Sequence, residues 1–347
     1  MSAVVPMKSQ AAPQSEAPAG RQGRKLPPRL RGRMLPLAVT VSLFVLMATL
    51  GSVVYPGFFS LQVFLNLLID NAFLCVVAVG MTFVILSGGI DLSVGSVIAL
   101  TTMVSAALVE KQGWSPLQVI PLVLLMGTVF GAFMGFLIER FRLQPFIVTL
   151  AGMFLARGLC YVISIDSISI TNEVYSDLSR LRLPVWGDAS ISLSALIALV
   201  VVAIAVYVAH WTPFGRAVYA VGGNEQSAVL MGLPVRGTII GVYTLSGFCS
   251  ALAGVLFTFY MLSGYGLHAL GLELDAIAAV VIGGTLLTGG VGYVVGTLFG
   301  VMMLGIIQTL IAFDGTLSSW WTRIVVGALL FVFCLLQRLL GARAERH

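Results

Sequence analysis

The chain has 347 residues, 59% of them hydrophobic, with a mean hydropathy of +1.03. Only about one residue in ten is charged, against about one in four in ordinary globular proteins, so a water-soluble surface could not be covered. Disorder is excluded by the same apolarity, and the net charge of +5 is distributed as in a polytopic membrane protein, not as on a nucleic-acid surface.

Residues 1–33 hold seven of the 19 basic residues (Lys8, Arg21, Arg24, Lys25, Arg29, Arg31, Arg33) in a Pro-, Ala-, Gly- and Gln-rich stretch, read as a disordered cytoplasmic tail. No small-residue cleavage motif follows the apolar run Met34–Val54. That run therefore reads as a first membrane span and not as a signal peptide. Apolar runs of bilayer length then recur at approximately 35–54, 62–86, 94–109, 117–138, 145–165, 191–210, 238–262, 272–288, 293–313 and 320–338. The expectation is an all-α bundle of about ten transmembrane helices over 34–340, followed by a short cytoplasmic tail, 341–347. The Gly-rich stretch 272–293 and the short third span are its weak points.

Basic residues test that topology. Fourteen fall in segments read as inner, against three read as outer (Lys111, Arg180, Arg182) and two in or beside spans (Arg157, Arg323). The asymmetry puts both termini in the cytoplasm. The longest outer loop, 166–190, carries Asp166, Glu173, Asp177 and Asp188; it reads as a docking surface, a lid or a solvated connection.

Polar groups inside the spans are few: Asn66, Asp70 and Asn71 on the second, Arg157 on the fifth, Glu273 and Asp275 on the eighth. Ionisable groups at that depth face a cavity or a partner. Asn66, Asp70, Asn71 and Asp275 are candidates for a substrate path, with an Asp70–Arg157 structural pair as the alternative. Four cysteines (Cys75, Cys160, Cys249, Cys334) lack CxxC spacing, and three histidines (His210, His268, His347) form no HExxH, so no disulfide or metal centre is expected. The sequence shows neither GxxxxGK[ST] nor GxSxG.

Two blocks echo each other. Ser87–Ser96 reads SGGIDLSVGS and Thr288–Thr297 reads TGGVGYVVGT, matching at seven of ten positions. Both end one apolar run and open another. Gly-interrupted helices of this kind meet at pathways in transporters, which marks Gly88, Gly89, Asp91, Gly289 and Gly290 as gate or helix-break residues. Two GxxxG segments, Gly131–Gly135 and Gly296–Gly300, predict close helix packing.

The inner loop 211–236 is the most informative segment. Asn224 reads as an N-cap, Glu225 suits the positive end of a helix, Gly232 is a stop and Pro234 lies just beyond. The result is a helix of about two turns presenting Ala228, Val229, Leu230 and Met231 to the cytoplasm, where another protein or lipid would cover them.

This loop, with SGGIDLSVGS, QPFIVTLAGM (144–153), ELDAIAAVVIGGTLLTGGVGYVVGT (273–297) and FDGTLSSWW (313–321), resembles the membrane subunits of ribose-type sugar-importing ABC transporters. Within that group the likeness runs to galactofuranose permease subunits. The resemblance covers about 35–340 and leaves out the basic leader. It implies a permease of the bacterial inner membrane with no catalytic residues and no cofactor, ATP being hydrolysed by a cytoplasmic ATPase subunit. That ATPase would couple through Gly223, Asn224, Glu225, Ser227, Ala228, Leu230, Met231 and Gly232. A periplasmic sugar-binding protein and a second permease, identical or related, complete the implied assembly, in contact with lipid and not with nucleic acid. A branched-chain amino-acid permease shares the general plan, and a stand-alone secondary transporter is the reading from a different class.

Overall fold

A computed structural model describes residues 28–316, 318 and 320–344. Helix α1 (Pro28–Val54) is followed by α2 (Leu61–Asp70) and α3 (Ala72–Leu86). Helix α4 (Val94–Ala106) continues into one wider turn, Ala107–Lys111, and then come α5 (Pro116–Phe141) and α6 (Pro145–Ile163). A small cap follows: β1 (Ile168–Ser169), α7 (Glu173–Arg180), β2 (Arg182–Trp186) and β3 (Ala189–Ser192). The chain continues as α8 (Leu193–Trp211), α9 (Pro213–Gly223), α10 (Glu225–Leu230) and α11 (Val235–Met261). It closes with β4 (Ser263–Gly264), α12 (Leu272–Ile282), α13 (Val294–Asp314) and α14 (Trp320–Ala344). The strands form two antiparallel pairs, β1 with β4 and β2 with β3, at one end of the bundle. We call this the hairpin end and the opposite one, which carries α9 and α10, the loop end.

Helix α3 is buried on all sides, as an all-round apolar helix must be, and packs against α11, α12 and α8. The outer helices turn Leu, Val, Phe and Trp outward: Leu125, Val129 and Phe133 on α5, Phe154 and Val162 on α6, Val200 and Ile204 on α8. Such a surface suits lipid as its solvent. Both GxxxG segments pack as expected. An added Cβ on Gly131 would lie 2.9 Å from the Cα of Gly247 on α11, and one on Gly300 would lie 2.8 Å from the carbonyl carbon of Ala279 on α12.

Seven described helices are long and apolar enough to cross a membrane, and the bent pair α2–α3 makes an eighth. Two of the ten expected spans are therefore corrected in form. The second is not one helix: it breaks at Asn71 with a 60° bend. The reason is local, because the Asn71 side chain donates to the Leu67 carbonyl at 2.9 Å and competes with the helix for that acceptor. The eighth, expected at 272–288, ends as the 11-residue α12. There Gly283 abuts Gly296 of α13 and Gly284 takes a positive φ of 92°, so the apolar run goes on as a loop. Helix α14 offers a described apolar stretch of 16 residues, Trp320–Leu335. Of the expected tails, residues 1–27 and 345–347 lie outside the described residues, while 28–33 and 341–344 are helical.

Candidate coupling surface and translocation site

At the loop end, Thr212 starts α9, its Oγ1 accepting from the Gly215 N–H at 3.2 Å with Pro213 as first helical residue. Asn224 then caps α10, its Oδ1 accepting from the Ser227 N–H at 2.7 Å. Gly232 stops it with φ +75°; its N–H bonds Val229 O at 2.9 Å, and the Leu233 N–H bonds Ala228 O at 3.1 Å. The start and stop signals read from the sequence thus hold. One expectation is corrected: Ala228 is not presented but fully buried against Val221 and Val235. Helix α10 is so short that Ala228 is the residue it packs with. Val229, Leu230 and Met231 stand out at 54%, 88% and 66% exposure.

Two ion pairs flank this surface, Arg142–Glu225 at 2.7 Å and Arg236–Glu139 at 3.2 Å. The first pair is exposed and contributes about 0–1 kcal/mol, while the second joins an exposed Arg236 on α11 to a buried Glu139 on α5 and touches neither α9 nor α10. The fixing contact is backbone on backbone. Gly222 ends α9 against the loops that follow α3 and α12: an added Cβ would overlap the Leu86 carbonyl oxygen and lie 2.7 Å from the Gly290 nitrogen. The Gly290 N–H donates to that same Leu86 oxygen at 2.9 Å. The two echoing blocks therefore meet here. Gly88 and Gly289 both have φ +85°, and each N–H bonds the carbonyl three residues back, at 2.9 and 3.0 Å. The repeat in sequence is a repeat in conformation at its first glycine; at the second, Gly290 has φ +72° and Gly89 does not take a positive φ.

The copies differ in what they hold. Asp91 is buried to 1% exposure; Oδ1 accepts from the Ser93 N–H (2.9 Å) and hydroxyl (2.6 Å), and Oδ2 from the Ser246 hydroxyl of α11 (2.7 Å). The Ser93 bonds brace the loop on itself, and the buried Ser246 bond fastens it to α11; leaving such a buried group without its partner costs about 1–3 kcal/mol. The position matching Asp91 in the second block is Gly292, whose carbonyl accepts from the Tyr219 hydroxyl of α9 at 2.8 Å.

The four path candidates do not converge. Asn66 and Asp70 share the exposed face of α2; Asn66 accepts from Gln62 at 2.7 Å, and Asp70 lines a cavity of about 80 Å³ with Ser179, Arg182, Ser194 and Tyr260. Asn71, expected as their neighbour, is turned into the core beside Gly305 of α13 by the helix break. Asp275 lies elsewhere, in a cavity of about 650 Å³ between α12, α13 and α14, with Gln308, Trp320, Thr322 and Arg323. The alternative pairing of Asp70 with Arg157 is not formed. Arg157 donates instead to the carbonyls of Gly266 and His268, both at 2.7 Å. Burial and this guanidinium hold the His268 imidazole below its ordinary value. Sequence reasoning missed α9 altogether, although Thr212–Pro213 is a legible helix start.

Residues 63–334 match the family described as branched-chain amino acid transport system / permease component. The chain belongs to this family. The permease is 55% identical over 306 residues, 88% of its length and 92% of the relative's, to the inner membrane ABC transporter permease protein YjfF of Escherichia coli K12. It is 41% identical over 316 residues to the fructose import permease protein FruG of Bifidobacterium longum, covering 89% and 92% of the two chains. With the ribose import permease protein RbsC of Haemophilus influenzae it shares 39% over 306 residues, covering 87% and 93%. No solved structure matches. This permease is thus a transport component of an ABC importer and not an enzyme, an inner-membrane subunit whose ATP is bound by a separate chain.

Proposed function

We propose that this permease carries a monosaccharide inward, of galactofuranose or a related type, with hydrolysis on a cytoplasmic ATPase docked on Gly223–Gly232. The observation that carries the reading is the exposed apolar triad Val229, Leu230 and Met231, mounted at the Gly222–Leu86–Gly290 junction where both repeated loops meet. The names of the relatives support a sugar over a branched-chain amino acid. In this reading both termini and α10 are cytoplasmic, supported by the clustering of basic residues, and Gly88, Gly89, Asp91, Gly289 and Gly290 form the gate that α9 moves. A periplasmic binding protein delivers sugar at the hairpin end, and a second permease, identical or related, completes the path. The Asp275 cavity is the stronger path candidate. Its Gln308, Thr322, Arg323 and Trp320 offer the donors, acceptors and aromatic face that a sugar takes, whereas Asn71 is sequestered.

The test is uptake by proteoliposomes containing the permease, its ATPase and its binding protein, over a panel of labelled pentoses and hexoses including galactofuranose. Uptake that requires ATP and all three components is expected, with Met231→Asp abolishing it while the permease still inserts. Uptake by the permease alone would overturn the reading. Labelling of a cysteine placed at 225 from outside intact cells, with 180 protected, would invert the orientation.

A further inference from the structure

A second polar cavity, of about 340 Å³, opens beside the junction and is lined by Ala209, His210, Arg216, Tyr219, Gly292 and Tyr293, with Val291. Its chemistry is cationic and aromatic. The His210 ring stacks on Tyr293 at 6.0 Å and 12°, and lies 6.3 Å from Tyr219. Arg216 is exposed and is in ion-pair contact with no carboxylate among the described residues. The Tyr219 hydroxyl is committed to the Gly292 carbonyl and His210 Nδ1 to the Val206 carbonyl, so the Arg216 guanidinium, in a lining without a carboxylate, is the group that takes an anion with several acceptor oxygens.

Helix α8 says where that anion comes from. Its residues Val200, Ile204, Tyr207 and Trp211 form one exposed stripe, at 50%, 57%, 61% and 64% exposure, while Ala195, Ala198, Val202, Ala205 and Ala209 are buried on the other side. Tyr207 and Trp211 stack at 6.1 Å and 19° at the end of the stripe, where aromatic rings mark a bilayer–water boundary. The end of the stripe lies beside the cavity, with the Trp211 ring 5.8 Å from that of His210. We propose that the cavity binds the phosphodiester headgroup of an anionic phospholipid, Arg216 pairing with the phosphate and the acyl chains lying along Val200–Trp211. A free phosphate would use the cavity but not the stripe. A lipid-facing apolar stripe ending beside the cavity also favours a lipid over a soluble protein face, and basic pockets at this level of a membrane protein suit acidic headgroups. The proposal rests on the orientation given above only for its choice of leaflet.

The test uses the purified full chain in nanodiscs of phosphatidylcholine, titrated with phosphatidylglycerol, and native mass spectrometry of lipid retained after detergent extraction. Neither measurement uses sugar or ATPase, so failure of the transport reading would leave it intact. Wild type is expected to retain phosphatidylglycerol over phosphatidylcholine. Arg216→Gln should bind it about fivefold more weakly, the factor given by about 1 kcal/mol per arginine near an acidic headgroup. Arg140→Gln, on the exposed end of α5, should change nothing, and unaltered thermal unfolding of both variants shows that they fold. Equal retention by wild type and Arg216→Gln would overturn the proposal. So would full displacement of the lipid by inorganic phosphate, or loss of ATPase capture by Arg216→Gln with lipid binding unchanged.

Discussion

At the loop end, three connections meet backbone to backbone, where Gly222, Leu86 and Gly290 leave no room for a side chain. At the hairpin end the same work of tying connections together falls to side chains. Glu110 accepts from the Thr171 N–H (2.7 Å) and hydroxyl (2.9 Å) and from the Asn172 N–H (3.0 Å). Gln62 accepts from the Ser190 N–H at 2.9 Å and donates to the Ser190 carbonyl at 3.3 Å, and Arg157 holds the turn before α12. A backbone junction transmits displacement with little slack, because no rotamer can absorb it. A side-chain staple holds a cap in place yet lets it shift or be remodelled. The contrast fits an end that must follow an ATPase and an end that must meet a soluble partner.

The sharpest way to break this comparison is to add a methyl group at the junction. Gly222→Ala should cost more than the about 1–3 kcal/mol of ordinary overpacking, since its neighbours are backbone atoms that cannot change rotamer. The neighbouring Gly223→Ala meets nothing within 4 Å and should be silent. Thermal unfolding of the two purified variants decides, and equal midpoints would mean that the junction has slack. A smaller effect is expected at the hairpin end. Glu110→Ala removes three hydrogen bonds, two of them from backbone N–H groups; water can replace the exposed ones, so the loss should be near the net value of a typical hydrogen bond, about 0.5–1.5 kcal/mol. Hydrogen exchange should rise over 168–180 and leave α9 and α10 unchanged; a rise at both ends would show that the ends are not independent.

The smallest effect is a pH dependence confined to the hairpin end. The folded His268 titrates below its ordinary value of 6.5, so the unfolded chain binds the more protons as pH falls through that value. Its contribution to stability is complete above about pH 6.5 and declines below it. His268→Gln should flatten the decline in unfolding temperature between about pH 7 and 5. An unchanged slope would place the acid sensitivity elsewhere.

The membrane class, most of the long helices and the α10 start and stop were legible because they rest on local physics: apolar run length, charge placement, a capping Asn and a stopping Gly. The repeated Gly-Gly blocks were legible as helix breaks, and the positive φ shared by Gly88 and Gly289 is found only in the structure. What the sequence hid was decided between segments. Asn71 reads as a third polar neighbour of Asn66 and Asp70 until its side chain takes the Leu67 carbonyl and bends the span. The run after Ile282 reads as membrane helix until Gly283 meets Gly296. Ala228 looks exposed until Val221 and Val235 close over it. Each outcome depends on a contact with a distant segment or on a side chain choosing one acceptor over another. Hydropathy along a chain carries no information about either, and only the packed structure makes the choice.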